Sequence, residues 1–196
     1  MSHVHQFFSV NHREFIHLLQ NSAADEMTER VVRAVGNEFE WPQEVMQNTT
    51  IREACVNIFD KHEYHCRENG FVYFGLMLLC DHERLPADGW KSQYSEDVAE
   101  YVNDTDVSPN VKEIFAGLAR GRDPFFKVMS VGYQDVIACF IRADEPKMLV
   151  ASIEACSDFA GGKIPNRDVE EIIFNEFLPA IDVELSNDHC LAIFTL

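Results

Sequence analysis

The stretch 71–90, FVYFGLMLLCDHERLPADGW, constrains the fold more than any other part of the chain. Phe71, Phe74 and Leu78 recur at helical spacing, and apolar side chains also cover the other faces of the same helix. A helix that is apolar all round needs protein on every side. The run is too short for a membrane span, which needs about 20 apolar residues. We therefore predict a buried central helix that ends near Leu85 and Pro86, because proline cannot continue a helix.

The pattern on either side of this helix predicts a small sheet. A β-branched and aromatic run at 4–10 predicts a strand, and the apolar run at 190–196 predicts a second one at the other end of the chain. Two more runs rich in Val, Ile and Phe, at 125–131 and 135–142, predict a middle pair of strands, with a helix as the alternative for the second run. Helical patterns recur between them, at 11–19, 24–35, 50–62, 95–102, 110–119, 146–156 and from 166 onward.

Three polar or glycine positions predict where helices begin and end. Asn11 is placed to cap the first helix, Ser108 with Pro109 forms a cap and first-position pair, and Gly36 is expected to end the second helix. The predicted fold is α+β: one mainly helical domain over residues 1–196, built around the central helix. Its small sheet includes the N- and C-terminal strands.

The charge balance excludes two classes of partner. The chain carries 16 Lys and Arg against 33 Asp and Glu, a net charge of −17, and it has no basic cluster. A surface that binds nucleic acid needs positive charge against phosphate, and so does one that binds anionic lipid. We therefore expect no direct nucleic-acid binding and no membrane binding.

Cysteine usage predicts a reducing compartment. The six cysteines sit at unrelated spacings, mostly inside apolar runs, and the opening sequence MSHVHQFFSV lacks the pattern of a secretory signal. Isolated cysteines in apolar runs are typical of buried, reduced thiols. A cytoplasmic protein is the expectation.

Several short motifs together resemble an uncharacterised bacterial family, a domain of unknown function. They are the strand–helix opening, the sequence YFGL at 73–76, Leu85-Pro86 followed by Trp90, and the closing apolar strand. The region 121–148 departs from the family pattern. The resemblance implies a bacterial cytosolic domain and supplies no known activity or catalytic residue.

One group of residues has the composition of a metal site. It consists of His62, His65, Cys66, Cys80 and His82. Zinc takes four such ligands in a tetrahedron, but the chain has no Cys-x-x-Cys pair, and the first three residues lie at a helix end where they can point apart. We expect solvated or capping histidines and core cysteines here, and no cofactor. A small zinc- or thiol-dependent enzyme that uses this cluster is the alternative.

Two other polar patterns have structural interpretations. Asp104-x-Asp106-x-Ser108 imitates the opening of a calcium loop, but Pro109 stands where that loop demands glycine, so we predict a solvated turn. His3 and His5 alternate on the first strand, and we expect both to face solvent.

The chain after Arg167 has no Lys or Arg and carries a net charge of −7. Its first three carboxylates fall in a helical turn where the dipole favours anions. The other four lie near or beyond the opposite end, and we predict that they bind a partner: Glu176, Asp182, Glu184 and Asp188. The expected function is an acidic, non-enzymatic bacterial binding protein, such as an immunity-type inhibitor of a basic toxin or nuclease. Besides the enzyme, a structural or oligomeric subunit is a further alternative to this binding function.

Overall fold

The computed structural model describes residues 5–38, 49–64, 69–86, 95–129, 136–160, 169 and 171–195. Within these ranges the fold is α+β, as predicted, with helices on both faces of a four-stranded sheet. The strands are β1 (His5–Asn11), β2 (His82–Arg84), β3 (Ile137–Ile141) and β4 (His189–Thr195). The helices are α1 (His12–Asn21), α2 (Ala24–Glu38), α3 (Thr49–Cys55), α4 (Asn69–Leu79), α5 (Ser95–Asn103), α6 (Pro109–Arg120), α7 (Glu145–Ala155), α8 (Ser157–Ala160) and α9 (Leu178–Ile181). A π-helical segment, Val56–Asp60, continues α3, and another, Ile172–Phe177, precedes α9.

The sheet joins the two ends of the chain. Its strand order is β2-β1-β4-β3, and every neighbouring pair is antiparallel. Ala192 of β4 pairs with Phe8 on one side and with Phe140 on the other. The predicted terminal strands are therefore confirmed, and they lie side by side at the centre of the sheet.

Two hydrophobic cores form, one on each face of this sheet. Successive side chains of a strand point to opposite faces, so Phe8 joins the core beneath α1–α4 and Phe7 joins the core beneath α5–α9. On β4 the residues divide in the same way, with Phe194 on the first face and Ile193 on the second. The helices α1–α4 thus cover one face of the sheet, and the helices α5–α9 cover the other.

The central helix is buried as predicted, but it is shorter than predicted. All side chains from Phe71 to Met77 are buried in α4, which ends at Leu79. The prediction that it runs to Leu85 and Pro86 is wrong, because the polar residues 82–84 form β2 and pair with β1 instead. These residues have no apolar face to bury, and the sheet supplies partners for their backbone groups. No helix in the described ranges is long and apolar enough to cross a bilayer, and Trp90 lies outside them.

The helix-end predictions have mixed outcomes. The Asn11 side chain accepts a hydrogen bond from the Glu14 amide at 3.0 Å and caps α1, as expected. Pro109 opens α6, also as expected. Gly36 does not end α2, which continues to Glu38. A single exposed glycine costs a helix only about 1 kcal/mol, which the packing of α2 against the first core offsets.

The middle of the chain contains one described strand where two were predicted. The second run forms the strand β3, whereas the described part of the first, 125–129, forms a turn closed by an isolated bridge between Arg122 and Val128. The Asp123 carboxylate accepts hydrogen bonds from the amides of Phe125 at 2.8 Å and Lys127 at 2.9 Å. Because the Asp123 side chain already accepts hydrogen bonds from these amides, they do not pair with a neighbouring strand. Pro124 has no amide hydrogen that could donate a hydrogen bond to one.

Candidate functional site

The four carboxylates predicted to bind a partner are all exposed. Glu176 lies in the π-helical segment before α9, Asp182 directly follows α9, and the other two lie in the connection to β4. The amide of His12 donates a hydrogen bond to the backbone carbonyl of Asp188 at 2.8 Å, which fixes this connection beside the start of α1. The segment from 171 to 188 therefore presents these side chains to solvent.

One member of this group has a cationic neighbour that the local sequence does not reveal. Lys147 of α7 donates a hydrogen bond to Glu184 at 3.0 Å, and this hydrogen bond and the lysine's charge lower the pKa of that carboxyl. The absence of Lys and Arg after Arg167 therefore does not leave Glu184 without a cationic neighbour. Both side chains are largely exposed, so the pair contributes little to stability.

The structure describes three of the five residues in the predicted metal cluster. His62 is exposed, and its Nδ1 shares a hydrogen bond of 3.0 Å with the Tyr64 hydroxyl. His82 is bonded through Nδ1 to the backbone carbonyl of Cys80 at 2.9 Å. Burial raises the pKa of the Cys80 thiol to about 12, so this thiol stays protonated near neutral pH and is a poor metal ligand or nucleophile. His65 and Cys66 lie outside the described residues, and the cluster stays a prediction.

The cysteines follow the expected pattern where they are described. All five are free and buried: Cys55, Cys80, Cys139, Cys156 and Cys190. Burial raises the pKa of each thiol. They are therefore mostly inert core residues, and among the described cysteines Cys156 alone belongs to a group of three potential metal ligands.

His5 forms a hydrogen-bond chain that resembles a nucleophile–base pair. Its Nε2 lies 2.7 Å from Ser95 Oγ and its Nδ1 lies 2.9 Å from Thr195 Oγ1. The prediction that His5 faces solvent is wrong, since it is only 1% exposed. Strand alternation predicted one outward side of β1, but helices cover both faces of this sheet.

The hydrogen-bonded group of Ser95, His5 and Thr195 does not have the properties of a catalytic dyad. Burial lowers the pKa of His5 to about 3, far below the range in which a general base works near neutral pH. Ser95 is itself 3% exposed, so a substrate carbonyl has no open approach to its hydroxyl. The three side chains instead connect β1, β4 and the first residue of α5.

A buried ion pair lies beside the outer edge of β3. Arg122 donates two hydrogen bonds to the Glu145 carboxylate, at 2.7 and 3.0 Å, and a third to the carbonyl of Phe140 at 3.2 Å. Its backbone also bonds to β3 on both sides of Cys139, which covers that strand edge. Gly117 leaves space for the arginine, because a Cβ there would lie 2.8 Å from Arg122 Cβ. The sequence gives no sign of this pair.

The turn that contains Phe126 is held against the same arginine. Phe126 has a φ of 64°, uncommon for a residue other than glycine. Its ring centroid lies 4.9 Å from Arg142 Cζ, 5.5 Å from Arg122 Cζ and 5.0 Å from the His12 ring. His12 Nε2 is hydrogen-bonded to the Pro124 carbonyl at 2.9 Å. These contacts fasten the turn to α1 and the β3–α7 connection.

A third polar group brings together side chains that the sequence separates. The ligand atoms of Asp106, Cys156 and Asp158 all lie within 4.8 Å of one another. Cys156 Sγ donates to Asp106 at 2.9 Å, and the Asp106 amide donates to Asp158 at 3.1 Å. Burial and the hydrogen bond to Asp106 raise the pKa of the thiol, while the amides of Asp158 and Phe159 act in the opposite direction. Among the described residues, no other three acidic, His or Cys side chains converge in this way.

The sequence contains a partial signal for this group. Asp106 belongs to the imperfect calcium-loop pattern, and Cys156 is predicted only to be a core thiol. The contact between positions 106 and 156 arises because the turn after α5 lies against the junction of α7 and α8.

Comparison of the chain with protein-family models, curated proteins and solved structures finds no match.

Proposed function

We propose that the protein is an acidic, non-enzymatic binding protein that holds a basic protein partner, in the manner of an immunity-type inhibitor. The observation that carries this proposal is the exposure of the acidic segment. Glu176, Asp182, Glu184 and Asp188 are all solvent-exposed, on a chain whose net charge is −17. Carboxylates that already face solvent can meet Arg and Lys side chains without unfolding the segment that carries them.

Charge complementarity has a defined physical effect on such a complex. A negative field raises the rate at which a positive partner associates, and salt weakens it because the Debye length is about 8 Å at physiological ionic strength. Lys147 partly screens Glu184. An arginine from the partner can replace that lysine, since Lys147 is itself 66% exposed and free to move away.

The enzyme alternative has less support from the described residues. Cys80 is buried with a raised thiol pKa, and the imidazole of His5 has its pKa lowered to about 3. Neither is a nucleophile or base tuned to neutral pH. The five free cysteines also support our proposal that the complex forms in the cytoplasm, where thiols stay reduced.

The test begins with capture of a partner from an extract of the source cells on immobilised protein at low salt. Captured proteins are eluted with salt and identified. Association is then measured by stopped flow with the variant Glu176→Gln, Asp182→Asn, Glu184→Gln and Asp188→Asn. A matched control neutralises four other exposed carboxylates: Glu29, Glu38, Glu53 and Glu83. Both variants change the net charge from −17 to −17 + 4 = −13, so they separate position from total charge.

We expect the first variant to associate at least about tenfold more slowly at low salt, with a weaker salt dependence, and the control to change much less. Circular dichroism should show both variants folded. Equal on-rates for the two variants would remove the acidic segment from the interface. Capture of no basic protein, together with a stable homo-oligomer in light scattering, would favour the structural-subunit alternative.

A further inference from the structure

Asp106, Cys156 and Asp158 form a mixed group of ligands from two distant segments of the chain. One carboxylate lies in the turn after α5, and the other two residues lie where α7 meets α8. Cys156 is 6% exposed while Asp106 faces solvent, so the sulfur forms the floor of the group and a carboxylate forms its open side. The group is therefore reachable from solvent on the side of Asp106.

We propose that these three side chains bind a divalent cation of the zinc type. Their ligand atoms lie within 4.8 Å of one another, so small side-chain rotations bring them to three corners of a tetrahedron of Zn–S and Zn–O bonds of about 2.0–2.3 Å. Three protein ligands leave a fourth position, which lies on the solvent side and is filled by water. This site does not depend on the partner-binding function proposed above.

The donor types determine which cation fits. Thiolate is a soft ligand that selects zinc and related transition metals, whereas calcium and magnesium take oxygen ligands almost exclusively. Two carboxylates alone would suit a hard cation, but the sulfur at the centre of this group makes it a poor site for one. The imperfect calcium pattern around Asp106 thus belongs to a different kind of metal site.

The fold already holds the ligands in place. The amide of Asp106 bonds to Asp158 at 3.1 Å, and the amide of Cys156 bonds to the Ile153 carbonyl at 3.2 Å. Thr105, beside the first ligand, is buried and bonded to the Val102 carbonyl at 2.7 Å. Ordered ligands lose little conformational freedom when a cation binds.

The surrounding charge also favours a cation. Residues 95–111 contain five carboxylates and no Lys or Arg. Binding breaks the S–H bond of Cys156, releases the proton to solvent, and uses the sulfur electron pair to coordinate the cation. The proton that now bridges the thiol and Asp106 is therefore replaced by the metal, and no oxidant or reductant is needed.

The experiment uses the full chain and cobalt(II) as a spectroscopic substitute for zinc. A cobalt–thiolate bond gives a charge-transfer absorption in the near ultraviolet, which a site made only of oxygen ligands does not give. Zinc affinity is then measured by competition against bound cobalt. The variants are Cys156→Ser and Asp158→Asn, and the control is Cys66→Ser, which removes one of the two thiols of the other predicted metal cluster instead.

We expect the wild type and Cys66→Ser to show the thiolate band at about one cobalt per chain, and zinc to abolish it. Cys156→Ser should lose the band, and Asp158→Asn should keep it with affinity at least about tenfold weaker. Circular dichroism of each variant without metal checks that it folds. A band that survives in Cys156→Ser, or wild-type binding without any thiolate band, would overturn the proposal. Loss of the band in Cys66→Ser alone would assign the metal to the other cluster.

Discussion

Arg122 and Glu145 form a two-point ion pair in the interior, with both side chains at most 3% exposed. Burial by itself would raise the pKa of Glu145, but hydrogen bonds from Arg122 and from the Arg142 amide hold it below its ordinary value. The arginine remains protonated, because the carboxylate outweighs the effect of burial on its pKa. Each charge is thus tolerated only because the other is present.

Replacing either residue of this ion pair should destabilise the protein. We expect Glu145→Gln and Arg122→Met each to lower the free energy of unfolding by about 3–5 kcal/mol. The first leaves Arg122 buried without its counter-ion, and the second leaves Glu145 with only the half-exposed Arg142 guanidinium, 3.9 Å away. The double variant should lose much less than the sum of the two single variants. Urea unfolding at pH 7 measures all three. Strict additivity would mean that the pair does not act as a unit.

Gly75 of α4 should resist substitution by alanine. A Cβ at this position would lie 2.5 Å from Val31 Cγ1 of α2, closer than real contacts allow. Overpacking costs about 1–3 kcal/mol, against a helix-propensity gain of about 1 kcal/mol, so the net effect should be destabilising. Thermal unfolding of Gly75→Ala should show a lower melting temperature.

Two further variants test the cause of that loss. Adding Val31→Ala to Gly75→Ala should recover part of the packing cost, because it removes the methyl group in the way. Gly36→Ala on the exposed side of α2 should instead stabilise by up to about 1 kcal/mol. A stabilising effect of Gly75→Ala equal to that of Gly36→Ala would refute the close helix contact.

His5 should make folding sensitive to acid. Its folded-state pKa is about 3 and its ordinary value is 6.5, so between these values the unfolded chain binds a proton that the folded chain does not. Stability from this residue is therefore complete above pH 6.5 and falls as the pH drops, by up to about 1.4 kcal/mol per pH unit. Urea unfolding at pH 7.5, 6 and about 4.5 gives the slope.

The variant His5→Gln isolates this contribution, because it keeps a hydrogen-bonding side chain and removes the titrating ring. We expect a shallower loss of stability with acid than in the wild type, although the variant is less stable at neutral pH. His17→Gln, at an exposed position of α1, is the control for loss of a histidine. Parallel pH slopes for wild type and His5→Gln would show that His5 is not responsible.

Local patterns in the sequence predicted the parts of the fold that local interactions decide. The terminal strands, the Asn11 cap, Pro109 at the start of α6 and the apolar run of α4 are each specified by neighbouring residues. The exposure of the acidic residues near the C terminus was predictable from their residue type, because carboxylates are rarely buried unless they are paired. The end of α4 was not, because β1 competes with the helix for residues 82–84.

The chain by itself determined which segments are apolar, where several helices begin, and the strongly acidic character of the whole. Only the tertiary structure decided which polar groups meet. Hydrogen bonds join Arg122 to Glu145, Ser95 to His5, and Cys156 to Asp106, across separations of 23, 90 and 50 residues. Periodicity reports which face of an element is buried, but not what lies opposite that face. A buried charge, histidine or thiol is stable only beside its particular partner, and the arrangement of both helical layers on one sheet selects that partner.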